Sequence, residues 1–187
     1  MTVTAVLRRL RRAAGRPLGD RRGVAAVEFA LILPLMVLLF LGGVEISQAI
    51  AIQRMTSLSA STVANLVTQY ASISDSQTMP DILNASSAVL TPYPVANAVV
   101  RVSCITVDAT GKATVTWSRA LHGAALAAGS AMQLPAALAT PNTSLILGET
   151  RYAFNPILDY INVGTITLSS SVYMFPRSSS GTVTLTP

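Results

Sequence analysis

The sequence predicts an α+β protein: one long N-terminal transmembrane and amphipathic helix followed by an antiparallel β-sheet domain. Three observations predict it. After Arg21-Arg22-Gly23 an apolar run, interrupted only by Glu28, extends to Val44. Apolar residues then recur near the helical period as far as Tyr70. Beyond Thr91-Pro92-Tyr93-Pro94 the pattern changes to stretches rich in Val, Thr and Ile with strand-like alternation.

The first 23 residues form a basic leader. Of 13 Lys and Arg, the chain places Arg8, Arg9, Arg11, Arg12, Arg16, Arg21 and Arg22 before Val24, against Asp20 alone among 8 acids. The formal net charge of +5 therefore belongs to the leader, and the remainder is close to neutral. Arg54, Arg101, Lys112, Arg119, Arg151 and Arg177 are scattered, which argues against nucleic acid as a partner.

Residues 24–44 are the predicted transmembrane helix. At about 1.5 Å per residue they cover a hydrocarbon core of roughly 30 Å once. The arginines on the N-terminal side, with Arg54 alone beyond the other end, predict a cytoplasmic N-terminus and an extracytoplasmic C-terminal domain. Arg21 and Arg22 are the topogenic residues nearest the span. Glu28 calls for a partner, because an ionised carboxylate costs about 2.5–3.5 kcal/mol or more near a bilayer centre. The helix N-terminus, whose macrodipole favours an anion, is one such partner. A new amino group on Val24, exposed if the chain is cut after Gly23, is another. Pro34 removes one helical hydrogen bond and favours a kink, which membrane helices tolerate. Gly42 and Gly43 offer a flexible or close-packing point, and Glu45 marks the outer interface. Ser47-Gln48-Ala49 also resembles a small-x-small signal-peptidase site, which would release the chain from Ile50 onward.

Residues 45–90 are expected to form a helical stem and a short helix. Ile46, Ile50, Met55, Leu58, Thr62, Leu66 and Tyr70 continue the first helix, 75–81 reads as a loop, and 82–90 as the short helix. Residues 91–187 form the β-rich domain. Residues 98–107 and 113–118 read as a hairpin across Asp108-Ala109-Thr110-Gly111-Lys112, with Val115 and Trp117 on one face. Residues 121–140 read as loop with a helical turn. In 145–154, Ile146, Thr150, Tyr152 and Phe154 alternate with Leu147, Glu149 and Arg151; 165–175 repeats the pattern. The expectation is a four-stranded antiparallel sheet with one buried side, a flexible Ser178-Ser179-Ser180-Gly181 run and an edge strand at 182–185.

Taken together, Gly23, Glu28, Pro34, Gly43 and Glu45 within GVAAVEFALILPLMVLLFLGGVEISQAI resemble the TadE/TadG-like family. These are minor pseudopilins of the tight-adherence branch of type IV pilus systems. The stretches DILNASSAVL, VDATGKATVTWS, LPAAL and PNTSLILGETRYAF resemble the extracytoplasmic part of alphaproteobacterial members. The resemblance implies a pilin-like, single-pass subunit of the bacterial inner membrane that faces the periplasm and supports assembly of adhesive Flp pili. It implies cleavage by a prepilin peptidase after Gly23, ahead of Val24, with Glu28 serving processing or packing. Other pilins or pseudopilins, the inner-membrane assembly platform and the lipid bilayer are the implied partners, and incorporation in a surface pilus is a further option. The Ser/Thr-rich stretch 56–61 departs from relatives richer in Ala and Arg.

No cofactor, metal site or enzymatic activity is expected. His122 stands alone in Leu-His-Gly-Ala, Cys104 is the only cysteine, and Asp108, Glu149 and Asp159 have no catalytic spacing. Cys104 reads as a small buried strand residue. The alternative function is an uncleaved single-pass protein whose β domain binds a periplasmic ligand.

Overall fold

A computed structural model describes residues 23–156 and 164–187. Leader residues 1–22, Arg21 and Arg22 among them, and Asp159 lie outside the described residues. The chain divides into two compact units, Met1–Val44 and Glu45–Pro187. The architecture is α+β and pilin-like: helix α1 (Val24–Thr68), strand β1 (Ser72–Ser74), helix α2 (Thr78–Ala88), then β2 (Ala98–Val107), β3 (Ala113–Leu121), β4 (Ala131–Met132), β5 (Thr143–Phe154), β6 (Ile166–Met174) and β7 (Thr184–Thr186).

In the first unit the described residues are Gly23 and the helical residues after it. Pro34 lies inside α1 without ending it. The most apolar part of α1 contributes no buried residue, and among the described residues α1 alone is long and apolar enough to cross a membrane.

In the second unit, α1 buries one stripe, Ile52, Thr56, Ser59, Ala60, Val63, Ala64, Val67 and Thr68, at the spacing of a helix face. The Ser/Thr-rich stretch 56–61 contributes Thr56, Ser59 and Ala60 to this stripe. Several hydroxyls here bond back to the helix itself: Thr56 Oγ1 donates to the Ile52 carbonyl at 2.8 Å, Ser61 Oγ to the Ser57 carbonyl at 2.9 Å and Thr62 Oγ1 to the Leu58 carbonyl at 2.8 Å. Small side chains then let the helix backbone approach the sheet.

Helix α2 begins earlier than the sequence pattern predicts. Residues 78–81, expected to be loop, are its first turn, because Pro80 occupies a position where a missing N–H costs nothing. Asp81 adds a favourable charge at the positive end of the helix.

The sheet has five strands in the order β4-β3-β2-β5-β6, where four were expected, and neighbouring strands run antiparallel. The β2–β3 hairpin closes as expected. Asp108 Oδ1 accepts from the N–H groups of Thr110 at 2.8 Å and Lys112 at 3.0 Å, while Gly111 adopts a φ of 84°. The face assignment of Val115 needs correction. Register pairs Cys104 with Trp117 but Ile105 with Val115, so a bulge at Thr116 sends Val115 and Trp117 to opposite faces.

The helix side of the sheet carries two clusters. Val63, Ala64 and Val67 of α1 meet Ile82 and Leu83 of α2 and Val100, Val102, Cys104, Trp117 and Ile146 of the sheet. Ile52 meets Leu90, Ala98, Tyr152 and Phe154. The expectation of a single buried side fails on the opposite face, where Ile105, Val107, Leu145 and Leu147 are covered by Met132, Leu134 and Leu138. The residues read as loop thus supply a short strand and a lid of apolar side chains. The C-terminal strand does not extend the sheet. Instead β7 pairs in parallel with β1, a strand absent from the sequence expectation, and Val183 enters the main core.

Candidate membrane and assembly segment

Gly23 is exposed and immediately precedes the helix, whose first residue is Val24. A Cβ at Gly23, Gly42 or Gly43 would meet nothing within 4 Å, and none of the three has a positive φ. The folded chain by itself therefore does not require glycine at these positions.

Glu28 is exposed, and the first turn of α1 contains no acid, so this carboxylate sits one residue past it. Apolar side chains around it point outward. Leu31 is 75% exposed, Phe40 70% and Phe29 58%. Such surface is costly in water, at about 25 cal/mol per Å², and requires another covering. Pro34 is exposed within the same run, Gly42 and Glu45 are half-buried, and Gly43 is exposed. Ser47-Gln48-Ala49 lies inside the continuous helix, where an extended peptidase substrate is absent.

Past Glu45, the helix is seated on β5. Gly148 lies beneath Ala60, and Thr150 Oγ1 donates to Ser59 Oγ at 3.1 Å in a buried contact. The indole N–H of Trp117 donates to the Val183 carbonyl at 2.8 Å. Arg119 holds Asp75 through two hydrogen bonds, Nε to Oδ1 and Nη2 to Oδ2, each 2.5 Å. These bonds, with the Arg119 charge, hold the Asp75 carboxyl below its ordinary value. Asp75 in turn raises the Arg119 pKa. Sequence periodicity gave no sign of these pairs, which join residues distant along the chain.

The remaining titratable residues have structural surroundings. Asp108 is held below its ordinary pKa chiefly by the Thr110 hydroxyl, which donates to it at 2.6 Å. Glu149 accepts from Arg101 Nε at 2.8 Å across the β2–β5 pair, with Arg151 at 3.8 Å. His122 is exposed, its Nδ1 3.3 Å from the Ala98 carbonyl. Burial pushes the Cys104 thiol up. Among the described residues no group of three or more His, Cys, Asp or Glu is placed to hold a metal ion.

No curated protein and no solved structure matches the chain. Residues 23–65 match the family described as TadE-like protein, a stretch that begins at Gly23 and runs through the exposed apolar helix into the part of α1 seated on β5. Gly23, Glu28, Pro34, Gly43 and Glu45 all lie within this stretch, and it is the segment 23–65 that is TadE-like.

Proposed function

We propose that the protein is a membrane-anchored, pseudopilin-like structural subunit, not an enzyme, that supports assembly of tight-adherence Flp pili of the type IV class. One observation carries this reading: the TadE-like match opens at Gly23 and contains an apolar helix with its side chains exposed.

In this reading residues 24–44 span the bacterial inner membrane, the leader stays cytoplasmic under its arginines, and the sheet domain faces the periplasm. A prepilin peptidase cuts after Gly23. Since the fold places no demand for glycine there, the demand comes from the peptidase's need for an unhindered scissile residue. Cleavage gives Val24 an α-amino group with an ordinary pKa of about 7.7–8.0, so most of it is cationic at neutral pH. That cation, from the same or a neighbouring subunit, neutralises Glu28 within the membrane and removes the cost of burying a lone carboxylate. Pro34, Gly42, Gly43 and Glu45 shape the packing of the span against the assembly platform and other pilins.

Piliation in a deletion strain tests the role. Wild type restores pili, whereas Glu28→Ala, expressed to the same level in the membrane, restores few or none. Full restoration by Glu28→Ala would remove the charge-pairing step, and normal piliation of the deletion strain would remove the assembly role.

A further inference from the structure

We propose that the C-terminal segment, residues 182–186, is a strap that opens as a unit while the five-stranded sheet stays folded, uncovering Trp117 and Cys104. The strap comes directly after Ser178-Ser179-Ser180-Gly181, and Gly181 has a φ of 66°. Just before this run, the Arg177 N–H is fixed to the Thr68 carbonyl at 2.9 Å. Opening is therefore confined to the residues beyond that tie.

Few bonds hold the strap. Its parallel pairing with β1 covers three residues, from Ser72–Thr184 to Ser74–Thr186. Thr184 donates its N–H to the Ala71 carbonyl at 3.0 Å and its hydroxyl to the same carbonyl at 3.2 Å, while Thr186 accepts from the Asp75 N–H at 2.8 Å and donates its hydroxyl to the Ile73 carbonyl at 3.2 Å. Val183 accepts from the Trp117 indole, and its side chain is buried while Leu185 is half-buried. By contrast β2, ten residues long, is paired along both edges. A groove of about 570 Å³ is lined by residues 182–185 of the strap together with residues 116–119 of β3 and with Ala125, Leu126 and Ala128, so the strap borders open space on that flank. Segments with few buried contacts open at lower free energy than the whole domain.

The strap covers an internal probe. Cys104 is fully buried, in the same core cluster as Val183 of the strap and Trp117. Cys104 is the only cysteine in the chain, so a thiol reagent reports on that position alone.

The test labels Cys104 in the full-length protein, in detergent micelles, with an aromatic disulfide reagent across a series of sub-denaturing urea concentrations. The labelling rate is expected to be nearly independent of urea at the low end, because little surface is exposed on opening. Leu185→Ala is expected to raise that rate about tenfold, whereas Leu147→Ala, in the core on the other face, lowers global stability and leaves the rate within about twofold. Labelling that tracks global unfolding from the lowest urea concentration, or that responds as much to Leu147→Ala as to Leu185→Ala, overturns the proposal. The wild-type urea series decides the matter by itself if either variant fails to fold.

Discussion

Gly148 of β5 lies directly beneath the backbone carbonyl of Ala60 in α1, and a Cβ at this position would also come within 3.0 Å of Ala64 Cβ and Val63 Cγ1. The helix and the sheet thus meet backbone to backbone at one point. Contact at this range is possible only because Gly148 has no side chain and its neighbours on the helix are small.

Gly148→Ala therefore forces the helix away from β5 along the stripe from Ser59 to Val67. Overpacking of this kind costs about 1–3 kcal/mol. Urea denaturation of the detergent-solubilised protein, monitored through the sheet's circular dichroism, should show a lower midpoint for Gly148→Ala. Gly111→Ala should also cost stability, for a different reason: Gly111 meets no atom within 4 Å but has a positive φ.

The Ser59–Thr150 contact makes a second prediction. Ser59→Ala leaves the Thr150 hydroxyl buried without its acceptor, at a cost of about 1–3 kcal/mol. Adding Thr150→Val removes the stranded donor, so the double variant should be less destabilised than the sum of the single ones. A double-mutant cycle on unfolding free energy measures the coupling. Strict additivity would show that the pair contributes no interaction.

The Asp75–Arg119 pair predicts acid sensitivity. The folded Asp75 carboxyl lies below its ordinary value of 3.8, so the unfolded chain binds its proton first as pH falls. The stabilisation is fully present above that value and is lost as pH falls through the lowered folded value. Both side chains are at least a third exposed, so solvent screens the pair and the effect is modest. Asp108 is lowered as well and contributes in the same pH window. Unfolding midpoints measured from pH 7 down to about 2.5 should fall less steeply for Asp75→Asn than for wild type, and least for Asp75→Asn with Asp108→Asn.

The elements legible in the sequence are those set by local periodicity. The apolar run from Val24, the continuation of α1 to Thr68 against an expectation of Tyr70, and the hairpin at Asp108–Lys112 all depend on neighbours within one helical or hairpin turn. Alternation located β5 and β6: Ile146, Tyr152 and Phe154 of β5 enter the clusters beneath the helix, and Leu168 and Met174 of β6 pack against them. Pairings between distant segments were not legible. Ser72–Ser74 is too short to show alternation and becomes a strand only because β7 arrives beside it. The bulge at Thr116 breaks the two-residue period that put Val115 and Trp117 together. Met132, Leu134 and Leu138 gave no sign in sequence of the face they cover. Gly23, Glu28, Pro34, Gly42, Gly43 and Glu45 fall at the start of α1 or within it, because the helix that carries them is itself set by local periodicity.

In the proposed function the mature subunit begins at Val24 and is held in the membrane by the helix that starts there. N-terminal sequencing with intact mass of the native membrane-extracted protein tests it most directly. The expected result is a chain starting at Val24, with the full leader retained in Gly23→Ala. A native mature protein that keeps Met1, or one that starts at Ile50, would contradict it.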